Sequence, residues 1–203
     1  MSIACLYLAA GQSRRMGTDK LALPFHGQSF GSQALSAALQ SRVKKVFLLT
    51  KENDSLAWVP EELIADNKCV HVPVPLTAEG QSATLRIGVS YAIRHQASAL
   101  IILLADQPFV KSDFIDELCS QYERNPNLCY VAATGEGIPK PPILFSDRLF
   151  SSLLDLTGDK GARDILRDGS LHGLHLPAPD PLLFADADTM EAYNRLKQMK
   201  KKV

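Results

Sequence analysis

Seven short runs of apolar residues, rich in branched side chains, recur along the chain, and each predicts a β-strand. Several of them, such as ALIILLA at 99–105, lack the polar alternation of a half-exposed strand, so they predict strands that are covered on both faces. The runs are Ile3–Leu8, Val43–Thr50, Cys69–Val74, Ala99–Leu104, Leu128–Ala133, Pro142–Phe145 and Leu171–Leu176.

Segments with helical spacing of apolar residues alternate with these strands. The alternation predicts a three-layer α/β/α, Rossmann-like fold with a mostly parallel mixed sheet, and 203 residues suit a single domain over 1–203. The Gly- and Pro-rich stretch Gly135–Pro142 is expected to be a loop. The predicted helices are Ser32–Gln40, Ser82–Arg94, Ser112–Arg124, Asp147–Leu156, Ala162–Arg167 and Met190–Lys202.

Composition excludes several classes of protein. Hydrophobic residues make up 46% of the chain, yet no run approaches the roughly 20 apolar residues that cross a bilayer. Basic and acidic residues both number 22, which leaves no global attraction to nucleic acid. No basic region precedes the first apolar run, so no secretory signal is expected. We expect a soluble, cytoplasmic protein with neither a nucleic-acid nor a membrane partner.

Open α/β sheets bind ligands beyond the carboxyl ends of their strands, and the first predicted strand ends in a polar loop, Leu8–Lys20. Small residues at 9–11 allow the backbone to approach an anion closely. Arg14, Arg15 and Lys20 add the positive charge that a polyphosphate requires. On spacing alone, a solvated surface loop is an equally good interpretation.

A second polar segment, Ala105–Pro108, follows the most apolar predicted strand. Its carboxylate, Asp106, is costly at the end of a buried strand unless something pairs with it, and a divalent cation bridging phosphates is one such partner. The alternative is that Asp106 caps the turn before Pro108.

The pattern L-A-A-G-x-S-x-R-M-G-x-x-K at 8–20 resembles the signature of nucleotidyltransferases of the molybdenum cofactor group and their sugar-nucleotide relatives. This resemblance implies a GT-A-like fold and a loop that wraps the triphosphate of an incoming nucleotide. It also implies that Arg15 and Lys20 are catalytic. The nucleotide-binding residues implied in this loop are Leu8, Ala9, Ala10, Gly11, Ser13, Arg15 and Lys20.

Two further segments resemble nucleotide-site motifs of the same family. The run Ala105–Pro108 is similar to its L-x-x-D-Q-P motif, which implies that Asp106 is catalytic, binds the nucleotide and ligates Mg²⁺. Residues 79–86, EGQSATLR, are similar to its E-G-M-S-x-S-L-R loop, which implies nucleotide contacts from Gly80, Ser82 and Arg86. From the residues alone, Ser82 also suits a helix N-cap, and the alternative for Arg86 is a surface cation of that helix.

The segment TGDKGAR at 157–163 resembles the corresponding stretch of molybdopterin cytidylyltransferases. The resemblance implies an acceptor pocket formed by Gly158, Asp159, Gly161 and Arg163. Its glycines also suit a tight connection between two helices.

Before the final helix, DADT at 186–189 is similar to the family's D-I-D-T-P-E-D segment, which implies that Asp188, and more weakly Asp186, complete the metal site. Asp188 and Glu191 also have the spacing of a capping box. One departure concerns the acceptor: these cytidylyltransferases often read G-H-P before an apolar strand, where this chain has Pro139-Lys140-Pro141.

The resemblance implies a Mg²⁺-dependent enzyme that transfers CMP from CTP to molybdopterin and releases pyrophosphate, for a client molybdoenzyme of the xanthine dehydrogenase type. CTP is preferred because the cytidylyl branch has Ala-Ala-Gly where the guanylyl branch commonly has Ala-Gly-Gly. Two alternatives stay open. One is a cytidylyltransferase acting on a sugar or methylerythritol phosphate, and the other is a maturation factor that no longer catalyses.

Overall fold

The computed structural model describes residues 1–11, 19–78, 80–167 and 169–199. Nine strands lie within these ranges: β1 (Ile3–Leu8), β2 (Pro24–Phe25), β3 (Gln28–Ser29), β4 (Lys45–Lys51), β5 (Cys69–Val74), β6 (Ala99–Leu104), β7 (Tyr130–Gly135), β8 (Ile138–Ser146) and β9 (Gly173–Pro177). The described α-helices are α1 (Gln33–Gln40), α2 (Glu61–Ile64), α3 (Gly80–Arg94), α4 (Ser112–Arg124), α5 (Phe150–Leu154) and α6 (Met190–Gln198).

A seven-stranded sheet in the order β5-β4-β1-β6-β8-β7-β9 forms the centre of the fold. Strands β5, β4, β1 and β6 run parallel, β8 is antiparallel to both of its neighbours, and β7 is parallel to β9. The central strands β1 and β6 are the most continuously apolar runs, since both of their faces are covered. The predicted mostly parallel mixed sheet is confirmed.

Helices cover both faces of the sheet. One face packs Tyr7 and Ile101 in a cluster with α1 and α4, and the other packs Leu6 and Leu100 with α3 and α5. Because alternate residues of a strand point to opposite faces, β1 and β6 contribute to both clusters. The expected three-layer arrangement follows from this packing.

A small aromatic cluster outside the sheet brings the last helix next to an early segment of the chain. Phe25 and Phe30, from the β2–β3 hairpin region, pack against Tyr193 and Leu196 of α6. The Tyr193 hydroxyl also donates a hydrogen bond to the Pro24 carbonyl. This hairpin has two-residue strands, too short for any periodic signal, so the sequence did not predict it.

The expected loop at 135–142 is wrong, because most of it belongs to the β7–β8 hairpin. Pairing between the two strands shifts between Ala132 and Ala133, where the β8 partner changes from Ile143 to Lys140. Pro141 and Pro142 therefore sit in an irregularity, and the β6–β8 register ends at Ile143. Proline is tolerated at such positions since no ladder N–H is needed there.

Several helix boundaries also differ from expectation. Helix α3 begins at Gly80, so Ser82 lies in its first turn rather than at its N-cap. The predicted helix 147–156 is a 3₁₀ turn, Asp147–Leu149, followed by the short α5, and Ala162–Arg167 is 3₁₀ throughout. The predicted end of α6 at Lys202 lies outside the described residues. In the part of the chain that the structure describes, no helix has the length and apolarity needed to cross a membrane.

Candidate active site

The carboxyl ends of β1 and β6 lie side by side in the middle of the sheet. The Ala9 amide donates to Leu49 O at 2.8 Å and the Ala105 amide donates to Leu8 O at 3.1 Å, so the sheet's hydrogen bonding continues just past both strands. Leu8 and Ala9 are buried, Ala10 is half-buried and Gly11 is exposed. The Ala9 amide is thus already used by the sheet, and backbone access to an anion begins at Ala10.

The predicted triphosphate loop continues through Ser13, Arg14 and Arg15, which lie outside the described residues. The chain is described again from Asp19, whose carboxylate accepts from the Leu21 amide at 3.1 Å and caps the 3₁₀ turn Lys20–Ala22. Leu21 is buried in the cluster around α1 and anchors this turn to the fold. The turn holds the backbone of Lys20 near the carboxyl ends of the central strands.

Lys20 meets carboxylates from two distant parts of the chain. Its Nζ lies 2.9 Å from Asp106 Oδ2 and 3.7 Å from Asp188 Oδ1. The Lys20 side chain is only 13% exposed, whereas that of Asp188 is 54% exposed, so the ammonium is sheltered and the carboxylates reach toward solvent. The structure therefore brings together three of the residues predicted for the site.

Asp106 stands in the turn that follows β6. The Gln107 amide donates to Leu104 O at 3.2 Å, and the Asp106 carboxylate accepts from Lys20. The alternative of an aspartate that serves to cap the turn before Pro108 is not the contact observed. Asp106 is paired instead with Lys20, just beyond the carboxyl end of β6, which is where open α/β sheets bind ligands.

Asp186 adds a third carboxylate to the same place. Burial raises the pKa of Asp186, and the nearby charges of Asp106 and Asp188 raise it further, while Lys20 opposes the shift. Burial is the largest cause of this shift, and the neighbouring carboxylates add to it because like charges close together disfavour ionisation.

Divalent cations such as Mg²⁺ prefer carboxylate, phosphate and water oxygens. In the described ranges no three His, Cys, Asp or Glu side chains are placed to hold a metal by themselves. The Asp106 and Asp188 carboxylates nevertheless both lie near one ammonium group, so the donor set at this place has the oxygen chemistry that a divalent cation prefers.

Asp188 directly precedes the residue that forms the N-terminal cap of α6. The N-cap of α6 is Thr189, whose hydroxyl accepts from the Ala192 amide at 3.1 Å. The predicted capping box from Asp188 and Glu191 is therefore wrong. Thr189 performs the capping, and the Oδ1 atom of the preceding Asp188 lies 3.7 Å from Lys20 Nζ.

The predicted nucleotide loop at 80–86 and the predicted acceptor segment at 157–163 are joined directly. Ser82 is fully buried, and its hydroxyl donates to Gly158 O at 2.7 Å. Arg86 is half-buried, and its Nη1 donates to Leu156 O at 2.6 Å. Both side chains are thus bound to the protein's own backbone in this structure. Sequence reasoning missed this junction, and its only signal was the pair of glycines at 80 and 158.

The remaining acceptor candidates surround the same junction. Asp159 is exposed, and its carboxylate lies beside Gly80 at the start of α3. Gly161 donates its amide to Asp164 Oδ2 at 2.9 Å, which closes the connection from α5 to the next 3₁₀ turn. Arg163 is exposed in that turn. Residues 157–161 therefore do form the tight connection that their glycines suggested.

Gln107 is a second feature that the sequence did not reveal. Its side chain is 5% exposed, and its Oε1 is buried without a hydrogen-bond donor among the described residues. A buried acceptor without a partner is uncommon in folded proteins and is frequently associated with function. It lies one residue from Asp106.

The sequence profile of the MobA-like NTP transferase domain matches residues 5–175. The chain is 36% identical over 198 residues to the purine catabolism protein PucB of Bacillus subtilis strain 168, and the match covers 95% of each chain. It is 29% identical over 119 residues to a probable molybdenum cofactor guanylyltransferase of Mycobacterium avium strain 104, covering 58% of this chain and 56% of that protein.

The fold has close structural counterparts. The crystal structure of Rv0371c from Mycobacterium tuberculosis H37Rv superposes with a TM-score of 0.78 at 24% identity, covering 98% of this chain and 100% of that one. The same protein in complex with manganese gives a TM-score of 0.76 at 22% identity, with coverage of 98% and 100%.

Proposed function

We propose that this chain, which belongs to the MobA-like NTP transferase family, transfers CMP from CTP to molybdopterin and releases pyrophosphate. The observation that carries the proposal is the meeting of Lys20 with Asp106 and Asp188 at the carboxyl edge of the sheet. A cation and carboxylates at this position suit a nucleotide triphosphate that is bound together with a metal.

The nucleotide would lie across the ends of β1 and β6. In this proposal, Ala10, Gly11 and Ser13 line the triphosphate, the buried Leu8 and Ala9 support them from the end of β1, and Gly80 approaches the base and sugar. Arg15 and Lys20 contact the phosphate oxygens, and Lys20 is sheltered enough that its charge is only weakly screened by solvent.

Asp106 and Asp188, with Asp186 beside them, would hold Mg²⁺. When bound, the metal supplies charge neutralisation for the triphosphate. The carboxylates would determine the position of the metal's positive charge. Asp188 directly precedes Thr189, which caps α6.

The reaction requires no covalent intermediate on the protein. An oxygen of the acceptor's terminal phosphate forms a bond to the α-phosphorus of CTP, and the bond from that phosphorus to the bridging oxygen breaks. The electron pair of the broken bond leaves with pyrophosphate. Lys20 and Arg15 stabilise the negative charge that develops there, so the catalytic contribution is positioning and electrostatics.

The acceptor site is assigned to the segment that follows α5. Gly158, Asp159, Gly161 and Arg163 would line it, with the exposed Arg163 available for the acceptor phosphate. Phosphate recognition by arginine is favoured because its planar guanidinium can bind two oxygens at once.

The choice of CTP is supported by Ala9-Ala10-Gly11, which has the pattern of the cytidylyl branch. The guanylyltransferase relative matches over little more than half of each chain, whereas the purine catabolism relative matches over nearly all of both. The proposed client is a molybdoenzyme of the xanthine dehydrogenase type, and the second relative's name, a purine catabolism protein, is compatible with it.

The test is an assay of pyrophosphate release with ATP, CTP, GTP and UTP, each with and without molybdopterin, and with mass spectrometry of the product. We expect pyrophosphate only with CTP and molybdopterin together, and a product containing cytidine monophosphate. Turnover with GTP instead would replace the cytidylyl assignment by a guanylyl one. An absence of turnover with every nucleotide would contradict catalysis.

A further inference from the structure

Two side chains of α3 hold the segment after α5 by its backbone. The Gly158 carbonyl accepts both from the Ser82 hydroxyl at 2.7 Å and from the Ser82 amide at 3.3 Å. The Leu156 carbonyl accepts from Arg86 Nη1 at 2.6 Å. Positions 82 and 86 are four apart on a helix, so they lie on one face and contact the segment together.

These contacts bind carbonyls that lie beyond the short helix α5. Leu156 and Gly158 follow its C-cap Asp155, so the helix itself supplies no N–H donor for them. Leu156 is two residues past the end of α5, and a guanidinium is a strong donor for its carbonyl because the hydrogen bond is charge-assisted. The Arg86 contact therefore fixes the direction in which the chain leaves α5.

The close approach depends on the absence of side chains. A Cβ atom on Gly80 would lie 2.3 Å from the Gly158 carbonyl oxygen, and one on Gly161 would lie 2.8 Å from Gln81 Oε1. Gly80 also has a positive φ of 76°. The start of α3 and the segment after α5 therefore pack closely against each other at these glycines.

We propose that Arg86 and Ser82 are positioning residues that hold segment 156–161 in the conformation that binds the acceptor. This inference rests on the proposed function and deepens it, since it separates these two residues from the nucleotide contacts that their motif implied. The hydroxyl of Ser82 is committed to Gly158, and its side chain has no exposed surface. Arg86 acts on the acceptor through the backbone that it holds.

The first measurement needs no substrate. Hydrogen–deuterium exchange of the unliganded protein is followed at the amides of 156–163 in the wild type and in Arg86→Gln. We expect exchange about tenfold faster in the variant, since one charge-assisted hydrogen bond to a backbone group is lost. Arg94→Gln is the matched control, because Arg94 is an exposed arginine at the end of the same helix whose guanidinium contacts the Tyr91 ring. It should leave exchange at 156–163 unchanged.

The second measurement separates the two substrates. CTP with Mg²⁺ is titrated calorimetrically into each variant, and KM for molybdopterin is measured at saturating CTP. For Arg86→Gln we expect a Kd for CTP within about twofold of wild type and a KM for molybdopterin about tenfold higher. A purely structural defect would lower the active fraction without moving either value.

Unchanged exchange at 156–163 would overturn the proposal, and so would weaker CTP binding in Arg86→Gln, which would make this residue a nucleotide ligand. Faster exchange with an unchanged KM, in a wild-type enzyme that uses molybdopterin, would reduce the junction to a stabilising contact. Should Arg86→Gln fail to fold, Ser82→Ala removes one of the hydrogen bonds to Gly158 and is scored in the same way. Failure of the CTP or molybdopterin assignment appears in the wild type and leaves the exchange result intact.

Discussion

The two ends of the candidate site are built in opposite ways. At the edge of β1 and β6, Lys20 and Asp106 are joined through charged side chains, and the backbone only places them. At the start of α3, the contacts run to the carbonyls of Leu156 and Gly158 and require the bare backbone of Gly80. The first region depends on paired charges of side chains, and the second on hydrogen bonds to backbone carbonyls and on the absence of a side chain at Gly80.

The two regions should differ in whether a substitution affects mainly catalysis or mainly the free energy of unfolding. The Asp106 and Asp188 side chains are 28% and 54% exposed, and removing either one leaves Lys20 beside the other, so each is expected to contribute little to folding. The junction at α3 is packed and hydrogen-bonded, so changing it should alter the free energy of unfolding before it alters any chemical step. Substitutions in the two regions should therefore give opposite patterns of activity and stability.

The largest effect is expected for Asp106→Ala. Removing this carboxylate should lower kcat about a thousandfold, because it is the proposed contact of both metal and nucleotide. The unfolding midpoint should change little, since Asp106 is partly exposed and its partner Lys20 keeps Asp188 nearby. Pyrophosphate release and thermal unfolding are the two measurements. Activity near wild type would remove Asp106 from the chemistry.

Lys20→Ala should lower kcat about a hundredfold while the fold is retained. Binding of Mn²⁺, measured by electron paramagnetic resonance, should not weaken, because the carboxylates remain and their competing ammonium is gone. Lys45→Ala is the control, since Lys45 Nζ donates to Asn67 O elsewhere on the sheet. Loss of Mn²⁺ binding in Lys20→Ala, or an equal loss of activity in the control, would contradict the assignment.

Gly80→Ala should lower stability more than activity, the opposite of the two substitutions above. The new methyl group would meet the Gly158 carbonyl, so we expect a loss of unfolding free energy about 2 kcal/mol larger than in Gly137→Ala. Gly137 is a matched control because its φ is also 76° and a Cβ there has no neighbour within 4 Å among the described residues. Chemical denaturation measures both. Equal losses would show that the backbone conformation alone, and not the contact with Gly158, accounts for the effect.

The smallest effect concerns the link between α6 and the charged edge. Thr189→Ala removes the hydroxyl that caps α6 and should cost about 1 kcal/mol of unfolding free energy. Glu191→Ala should stay within about 0.5 kcal/mol, because no capping box is formed. A larger loss from Glu191→Ala than from Thr189→Ala would restore the capping box that the sequence suggested.

Much of the fold was predictable because the signal is local. The unbroken apolar runs of β1 and β6 predicted buried central strands, since only a strand covered on both faces needs every residue to be apolar. Asp106 was placed at a strand end from the same pattern. Strand ends of α/β sheets are where ligands bind, so the pattern also marked this position as a candidate site.

The parts that were not predicted lack a local signal. The stretch from Gly135 to Pro142 reads as a loop, and it forms β-structure because β7 pairs with it around an irregularity that accommodates the prolines. The junction of α3 with Gly158 uses backbone carbonyls, which every residue possesses, so residue types do not announce it. The N-cap of α6 is Thr189 and not Asp188. Which of two neighbouring residues caps a helix depends on the backbone conformation at the helix start, and residue types alone do not determine that.

The sequence by itself determined the layers of this protein, the order in which strands and helices alternate, and the kinds of charged group at its carboxyl edge, because burial and periodicity are written residue by residue. Only the tertiary structure decided that Lys20 lies between Asp106 and Asp188 and that Arg86 binds the chain beyond α5. Those contacts join positions far apart in the chain, and their geometry exists only once the packed sheet and helices fix the distances between them.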